Sequence, residues 1–284
     1  MQILPLILLA DKYCSTTRAY ILYMASCGYA FKKILALDFI GHGSRTILAE
    51  RLFGRRVAFG LFNLYRWRLR RQEQSLTFIQ MCSELQESFK IKIDYFAPFS
   101  YENYSEQVEN IIIRDFSDEA LPALLLKQPA HTFLYTGGGI VPGSLLTIPD
   151  VRILHIHPGV VPDVKGSDGL LWSLTVRGCP GASCFFMNSG IDTGDIIAVK
   201  EFPTPSFNLS MQSIDWDIFY NAMLYAYDPH LRASLLLDVL QENQDRSDLK
   251  TIPSHSQEPG SGRTFFTMHQ KIKNKVMYQL VKRR

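Results

Sequence analysis

The stretch that decides the fold is RILHIHPGVVPDVKG at residues 152–166, together with GIDTGDIIAV at residues 190–199. The first part is an apolar strand with His155 and His157 two positions apart, so both imidazoles point to one face of the strand. A Pro-Gly turn then ends the strand and places the two histidines at its carboxyl end. Open parallel sheets bind their ligands at the carboxyl ends of their strands.

The residues between the two motifs predict a helix over Gly169–Val176 and a strand over Ser183–Met187. An acidic turn with Asp192 and Asp195 follows and leads into another strand. A β-α-β unit of this kind brings His157 close to Asp192, although the two residues are 35 positions apart in the chain. Asp195 is predicted to be a turn residue without a role in the chemistry.

The first 40 residues predict a β-α-β opening. The apolar run Ile3–Leu9 is typical of a strand buried on both faces, Thr16–Gly28 predicts the crossing helix, and Ile34–Phe39 predicts the next strand. This order indicates a doubly wound α/β sheet. Because Ala10 and the three residues after it stand where dinucleotide-binding proteins have a glycine-rich turn, a nicotinamide-dependent dehydrogenase is disfavoured.

The 284-residue chain has the composition of an ordinary globular protein, with 46% hydrophobic and 20% charged residues. Its net charge of +3 is too small to indicate nucleic-acid binding. The five cysteines are odd in number and form no CxxC pair, which argues against a disulfide framework and a zinc site. We therefore expect a cytoplasmic protein without a metal.

The segment from Arg51 to Arg71 is unusual, because seven arginines interleave with aromatic and aliphatic side chains. One interpretation is a basic amphipathic segment that lies on an anionic membrane or binds a phosphorylated substrate. The other, which we favour, is a helix with a solvated arginine face and an aromatic core face.

Three consecutive glycines, residues 137–139, follow a predicted strand over His131–Tyr135. Such a run indicates either a plain tight turn or a backbone that a ligand approaches closely. After Val199 the pattern predicts helix over Asp215–Gln241, with a break near Asp228. A polar linker and a solvated, basic C-terminal helix are predicted to follow, and a nucleic-acid-binding tail is disfavoured.

Several of these motifs together resemble the formyltransferase family, which includes methionyl-tRNA, glycinamide ribonucleotide and amino-sugar formyltransferases. They are HPGVVPxxKG at 157–166, Trp172 in the following helix, Gly-x-Ser at 181–183 and GIDTGDII at 190–197. The resemblance implies a Rossmann-like, doubly wound, mostly parallel α/β sheet. We expect it to form a catalytic domain over residues 1–204, with a helical extension and basic tail over residues 205–284.

The resemblance also implies the site residues and the donor, 10-formyltetrahydrofolate. It implies that His157 and Asp192 are catalytic, and that the Ser183 hydroxyl helps to position a water. His155 stands where the family usually has asparagine, and we include it among the catalytic residues. The residues implied to line the folate pocket are Gly138, Gly139, Ile140, Val141 and Asp192.

The histidine at position 155 leaves several outcomes open. It is consistent with a tolerated variant, with another acyl donor, with hydrolysis, or with lost activity, because the charge and tautomer of an imidazole depend on pH. A zinc site made by His155, His157 and Asp192 is a further alternative that the rest of the sequence does not support.

The predicted reaction transfers a formyl group to a primary amine of a small molecule, and the favoured acceptor is an amino sugar linked to a nucleotide or a lipid. The tRNA and ribonucleotide enzymes are disfavoured because residues 205–284 read as helix and linker and because the Arg51–Arg71 segment has no counterpart in a minimal core. The alternatives are a 10-formyltetrahydrofolate hydrolase, a non-catalytic folate- or sugar-nucleotide-binding protein, and a membrane-peripheral enzyme. A homodimer is also predicted.

Overall fold

The computed structural model describes residues 1–40, 44–69, 75–129, 132–207, 214–246 and 249–282. Its β-strands are, in chain order, β1 (Gln2–Asp11), β2 (Tyr29–Phe39), β3 (Val108–Ile113), β4 (Thr132–Tyr135), β5 (Arg152–His157), β6 (Val164–Gly166), β7 (Gly181–Phe186), β8 (Asp195–Glu201) and β9 (Arg263–Phe265). A seven-stranded sheet has the order β3-β2-β1-β4-β5-β7-β8, and β6 and β9 form a separate pair.

Two of the described helices follow a residue whose side chain caps their N-terminus. Ser75 accepts a hydrogen bond from the backbone N–H of Phe78, and Asp215 caps the helix that follows it. The α-helices are α1 (Ser15–Ser26), α2 (Ser44–Phe53), α3 (Arg55–Leu69), α4 (Leu76–Ser88), α5 (Ala120–Leu126), α6 (Gly143–Leu146), α7 (Gly169–Val176), α8 (Trp216–Ala222), α9 (Asp228–Glu242) and α10 (Gln270–Lys282).

The sheet is parallel from β3 to β5 and antiparallel beyond. Strand β1 pairs parallel with β2 and β4, β2 with β3, and β4 with β5. Strand β7 pairs antiparallel with both β5 and β8. The predicted α/β, doubly wound, mostly parallel architecture is therefore confirmed. The predicted β-α-β unit after His157 is wrong in its direction, because α7 rises only about 12 Å and does not return the chain to the start of β5.

Strand β1 shows why the sheet is covered on both faces. Leu6 and Leu8 point into a core made with α1 and α9, whereas Ile7 and Leu9 point into a core made with α5 and α6. Successive side chains of a strand point to opposite faces, so the continuous apolar run is buried on both sides. The prediction of a doubly buried first strand is confirmed.

A third core joins helices from both halves of the chain. It contains Phe78 of α4, Leu170 of α7, Phe219 of α8 and Met277 of α10. The prediction of a solvated C-terminal helix is thus wrong for one face of α10, which is apolar and buried. The domain division at residue 204 stays a prediction, and the helices after it pack against the sheet and α7.

Two other predictions about the chain need correction or limits. The predicted linker after α9 is attached to the sheet through a bridge between His255 and Ile196. The predicted break near Asp228 is a π-helical turn over Met223–Tyr227 that joins α8 to α9.

Parts of several predicted segments lie outside the described residues, among them Arg70 and Arg71 of the arginine-rich segment, His131 of a predicted strand, and the last two residues of the basic tail. Within the described ranges, no helix combines the length and the apolar character that crossing a membrane requires.

Candidate active site

A cleft of about 590 Å³ opens at the carboxyl ends of β1, β4 and β5. Residues that line it include Thr16 after β1, Thr136 after β4, and both His155 and His157 at the end of β5. From β1 the chain continues to β2 and β3 on one side, whereas β4 and β5 lie on the other. The cleft therefore occupies the topological switch point, where doubly wound sheets bind their ligands.

The structure brings His157 and Asp192 together. The Nδ1 atom of His157 lies 3.3 Å from Oδ2 of Asp192, and the imidazole side chain is only 3% exposed. The same carboxylate oxygen accepts a hydrogen bond of 2.7 Å from the backbone N–H of Gly166. Asp192 has a φ of 52°, so a left-handed turn directs its carboxylate back toward β5.

Both ring nitrogens of His157 face hydrogen-bond acceptors. Nε2 lies 3.2 Å from the carbonyl oxygen of Val164, and Nδ1 faces the Asp192 carboxylate. A neutral imidazole has one N–H and can serve only one of these acceptors. Burial lowers the pKa of His157, while the charge of Asp192 acts in the opposite direction. Burial therefore disfavours a second proton on this ring, whereas the two hydrogen-bond acceptors favour it.

His155 has the opposite hydrogen-bonding character toward the cleft. Its Nδ1 lies 2.9 Å from the carbonyl oxygen of Tyr135, and a carbonyl can only accept, so Nδ1 carries the proton. Burial lowers the pKa of His155 to about 4, so the ring is neutral near pH 7. A neutral ring protonated at Nδ1 has an unprotonated Nε2. The asparagine usual in the family offers an amide N–H donor at this position, whereas His155 offers a lone pair.

Two glycines that the sequence analysis did not single out make room for His157. A Cβ atom at Gly159 would lie 2.6 Å from Nε2 of His157, and one at Gly169 would lie 3.0 Å from the same atom. Both distances are shorter than ordinary carbon–nitrogen contacts. The glycine that directly follows His-Pro is the sequence signal that could have indicated this requirement.

Ser183 is fully buried and does not line the cleft. Its hydroxyl donates to the carbonyl of Gly159 over 2.6 Å and accepts from the backbone N–H of Val161 over 3.0 Å. These two bonds fix the turn that follows β5. The structure thus places this hydroxyl behind the turn, and its predicted part in positioning a water stays a prediction.

The glycine loop divides into a cleft-facing part and a buried part. Gly138, Gly139 and Ile140 line the cleft, and Ile140 is 79% exposed. The hydroxyl of Tyr135 donates to the carbonyl of Gly138 over 2.6 Å and so fixes the loop. Val141 is 4% exposed and packs in the core beside α6, away from the cleft.

A C-terminal arm, residues 263–268, forms a wall of the cleft that sequence reasoning missed. Its strand β9 pairs parallel with β6, and Phe265 and Phe266 line the cleft. Trp172 stacks on Phe265 with 4.4 Å between ring centroids, and its indole N–H donates to the carbonyl of Phe266 over 3.0 Å. Trp172 therefore holds this wall in place.

Asp168 binds the arm to the rest of the site. Its carboxylate accepts from the hydroxyl of Tyr220 and, over 2.6 Å, from the backbone N–H of Met268. Lys273 of α10 lies 3.1 Å from the same carboxylate, and both side chains are almost fully buried. Burial and the Asp168 carboxylate raise the pKa of Tyr220, which keeps the phenol protonated as a donor.

The charges around the cleft single out Asp192. Asp228 is 2.6 Å from Arg232, a buried pair one helical turn apart on α9. Asp168 is paired with Lys273. Among the described carboxylates that line the cleft, Asp192 alone has no lysine or arginine partner, so its charge acts on His157. In the same described part of the chain, no three His, Cys, Asp or Glu side chains are grouped as a metal site requires.

Residues 106–214, which contain His155, His157 and Asp192, match the formyl transferase family model. Over this span the chain is similar to the formyl transferase family. The methionyl-tRNA formyltransferase of Syntrophus aciditrophicus is 33% identical over 70 residues, which are 24% of this chain and 22% of that protein. The methionyl-tRNA formyltransferase of Dictyoglomus turgidum is 28% identical over 178 residues, which are 61% of this chain and 48% of that protein.

Solved formyltransferases are similar at lower identity. One from Anoxybacillus kamchatkensis, in complex with UDP-4,6-dideoxy-4-formamido-L-AltNAc and tetrahydrofolate, has a TM-score of 0.39 and 21% identity, covering 62% of this chain and 82% of that one. A sugar N-formyltransferase from a Shewanella species has a TM-score of 0.42 and 12% identity, covering 98% and 86%. The chain spans less than half the length of the two tRNA formyltransferases that it matches.

Proposed function

We propose that the protein transfers a formyl group from 10-formyltetrahydrofolate to a primary amine. The observation that carries this proposal is the His157–Asp192 pair, 3.3 Å apart at the cleft, within the segment that matches the formyl transferase family. Amine formylation needs a neutral nucleophilic nitrogen, stabilisation of a developing oxyanion, and a proton path from the attacking nitrogen to the leaving one. The cleft has candidate groups for the last two needs.

His155 is the proposed proton acceptor. As the amine nitrogen attacks the formyl carbon, its proton passes to the free Nε2 of His155. When the bond between the formyl carbon and N10 of the folate breaks, the same proton passes to N10. The products are then a formamide and tetrahydrofolate, and His155 returns to its neutral state. A base with a pKa near 4 is weak but fully unprotonated at neutral pH.

His157 is the proposed donor to the oxyanion. Its Nε2 lies beside Gly169, which lines the cleft, and 3.2 Å from the carbonyl oxygen of Val164, so in this proposal the oxyanion shares the Nε2–H with that carbonyl. Negative charge on the formyl oxygen and the carboxylate of Asp192 both favour a second proton on this ring. The donor is held by its surroundings before reaction, and preorganised donors of this kind contribute about 3 kcal/mol each.

The volume of the cleft suits the proposed formyl donor, 10-formyltetrahydrofolate. The cleft volume of about 590 Å³ lies in the range of roughly 300–1,000 Å³ that small-molecule sites have. Gly138 and Gly139 expose backbone to the cleft without side chains, and the exposed Ile140 offers an apolar edge to a planar ring. These three residues are the proposed folate contacts, together with Asp192; Val141 is proposed only as the buried anchor of the loop.

The proposed acceptor is an amino sugar linked to a nucleotide or a lipid. The support is the segment after β8, where residues of α8, α9 and the arm line the cleft and leave a space of small-molecule size. A cytoplasmic location belongs to the same proposal. The homodimer stays a prediction.

The test is to incubate the full chain with 10-formyltetrahydrofolate and a panel of amines that contains free, nucleotide-linked and lipid-linked amino sugars. Mass spectrometry of each reaction detects a gain of CO in the acceptor. A formamide formed from one amino-sugar class supports the proposal. A formamide formed only from an amine of another class would contradict the proposed amino-sugar acceptor but would still support formyl transfer.

The same reaction without an amine tests the hydrolase alternative. The unprotonated Nε2 of His155 would also take a proton from water, so hydrolysis is the second candidate. Steady release of formate that an amine does not suppress would replace the transferase by a hydrolase. Folate binding without release of formate or formation of a formamide would support the alternative of a non-catalytic folate-binding protein.

A further inference from the structure

Helices α2 and α3 present an apolar surface to solvent. Val57, Leu61 and Leu64 of α3 are 49%, 54% and 62% exposed, and Leu48 and Leu52 of α2 are 56% and 64% exposed. Residues at i, i+4 and i+7 lie on one stripe of a helix. Inner positions of α3 face the protein, since Ala58 is buried. The outer stripe is therefore an additional apolar face, beyond the one that packs against the body.

The base of this pair of helices is fixed to the sheet. Arg55 lies 3.0 Å from Glu50 and 3.1 Å from Asp118, and Arg114 also binds Glu50 over 3.1 Å. Arg114 directly follows β3, which is an edge strand. The helices thus have a fixed attachment at the carboxyl end of β3, and their outer stripe is held in one orientation.

The positive charge of the chain is concentrated on these helices. Residues 44–69 contain six arginines and one glutamate, a charge of +5, whereas the whole chain has a charge of +3. The rest of the chain therefore carries −2. Arg51 and Arg56 are exposed beside the apolar stripe. A stripe of leucine and valine flanked by arginine is the pattern of a helix that lies in the interface of an anionic membrane.

We propose that α2 and α3 dock the protein on an anionic lipid bilayer surface. Strands β1 to β5 are parallel, so their carboxyl ends share one edge of the sheet. Both the helices, beyond β3, and the cleft, beyond β4 and β5, lie at that edge. Docking therefore brings the cleft side of the molecule toward the membrane. A role of this docking in reaching a lipid-linked amine rests on the proposed function. The docking proposal itself does not depend on that function.

The test is co-sedimentation of the full chain with vesicles, in the absence of folate and amine. Phosphatidylcholine vesicles are compared with vesicles that also contain phosphatidylglycerol, at low and at physiological salt. We expect binding to the anionic vesicles only, and weaker binding as salt screens the arginines. The double variant Leu61→Asp/Leu64→Asp should bind about tenfold more weakly, because it places charge in the apolar stripe.

The matched control is Leu126→Asp, at an equally exposed leucine at the end of α5, away from the stripe. It should bind vesicles as the unaltered chain does, and circular dichroism should show that each variant is folded. Two results would overturn the proposal. One is no binding to anionic vesicles at low salt. The other is a dimer in light scattering that Leu61→Asp/Leu64→Asp dissociates, without vesicle binding, which would assign the stripe to a second copy of the chain.

Because vesicle binding is measured without substrates, its failure would leave the formyl transfer proposal intact. Conversely, vesicle binding without formyl transfer would support the membrane-docking proposal and contradict the proposed reaction. If both hold, vesicles that carry a lipid-linked amino sugar should be formylated faster by the unaltered chain than by Leu61→Asp/Leu64→Asp.

Discussion

His157 Nδ1 and Asp192 Oδ2 lie 3.3 Å apart, although one residue ends a central strand and the other lies in a turn 35 positions later. The turn is held from two directions. Gly166 donates to the carboxylate, and the amide of Gln257 donates to the carbonyls of Asp192 and Gly194, each over 2.9 Å. The His157–Asp192 pair is therefore positioned by the loop after β5 and by a segment much closer to the C-terminus.

Replacing Gly159 by alanine should disturb the site through the position of the His157 ring. The added methyl would lie 2.6 Å from Nε2 and 2.9 Å from the carbonyl of Val164, so the ring must move. A displacement of about 1 Å in a reacting group lowers a rate by roughly 100-fold. The formylation rate of Gly159→Ala is the measurement. Gly60→Ala, where a methyl meets no atom within 4 Å, should keep the full rate.

The tautomer of His155 is predicted by its bond to the carbonyl of Tyr135. Nitrogen-15 NMR of the imidazoles should show Nδ1 protonated and Nε2 unprotonated near pH 7, with titration only at acidic pH. His155→Asn restores the amide donor usual in the family and should remove the base. If the NMR spectrum shows Nε2 protonated, His155 cannot accept the proton at that atom, and the proposed role is contradicted.

Many elements were predictable because their signals are local. The helix Gly169–Val176 was predicted with its observed bounds, and the apolar run Ile3–Leu9 was extended by only a few residues. The position of His155 and His157 at the carboxyl end of a strand followed from strand periodicity and the Pro-Gly turn. Periodicity and turn residues are properties of a short segment, so they are legible without the rest of the chain.

The direction of β7 was not predictable from its own residues. Apolar alternation is the same whether a strand pairs parallel or antiparallel, and the choice depends on how far the preceding helix carries the chain. The location of Ser183 depends on that choice, since it pairs with His157 across the β5–β7 ladder. Its hydroxyl is consequently bonded to the turn after β5.

The C-terminal arm was missed for a similar reason. Its strand has three residues, and Phe266 is 84% exposed although it borders the cleft. The contacts that hold the arm, such as Trp172 with Phe265, join residues about a hundred positions apart. A single sequence shows both residues of such a pair, but it does not show that they are in contact.

Buried histidines should make the stability of the protein depend on pH. Burial lowers the pKa of His155 and of His230 to about 4, and it lowers that of His157, compared with about 6.5 in an unfolded chain. The unfolded chain therefore binds more protons below pH 6.5, and the free energy of unfolding falls as pH decreases toward 4. A histidine whose pKa falls from about 6.5 to about 4 contributes a loss of roughly 3 kcal/mol at most.

Urea denaturation between pH 4.5 and 7.5 measures this dependence. The matched variant is His230→Gln, because His230 packs against Tyr23 outside the cleft. Its stability should fall less steeply with decreasing pH than that of the unaltered chain. An identical slope in the two proteins would contradict the assignment of a depressed pKa to His230.

The Asp168–Lys273 pair should be essential to the arm and to stability. Removing one partner of a buried ion pair leaves an uncompensated charge, so Asp168→Ala should cost about 3–5 kcal/mol of the free energy of unfolding. Asp163→Ala is the control, because Asp163 and Arg177 are both about 40% exposed and such a pair contributes about 1 kcal/mol or less. Equal losses in the two variants would contradict the role of Asp168.

The most direct test of the account is transfer of a carbon-13-labelled formyl group from 10-formyltetrahydrofolate to an amine, followed by NMR. The unaltered chain should convert the labelled formyl signal to a formamide. Asp192→Asn should slow this by about 100- to 1,000-fold, whereas Asp195→Asn, at an exposed carboxylate at the start of β8, should not. No formamide from any amine, or an unchanged rate in Asp192→Asn, would contradict the proposed site.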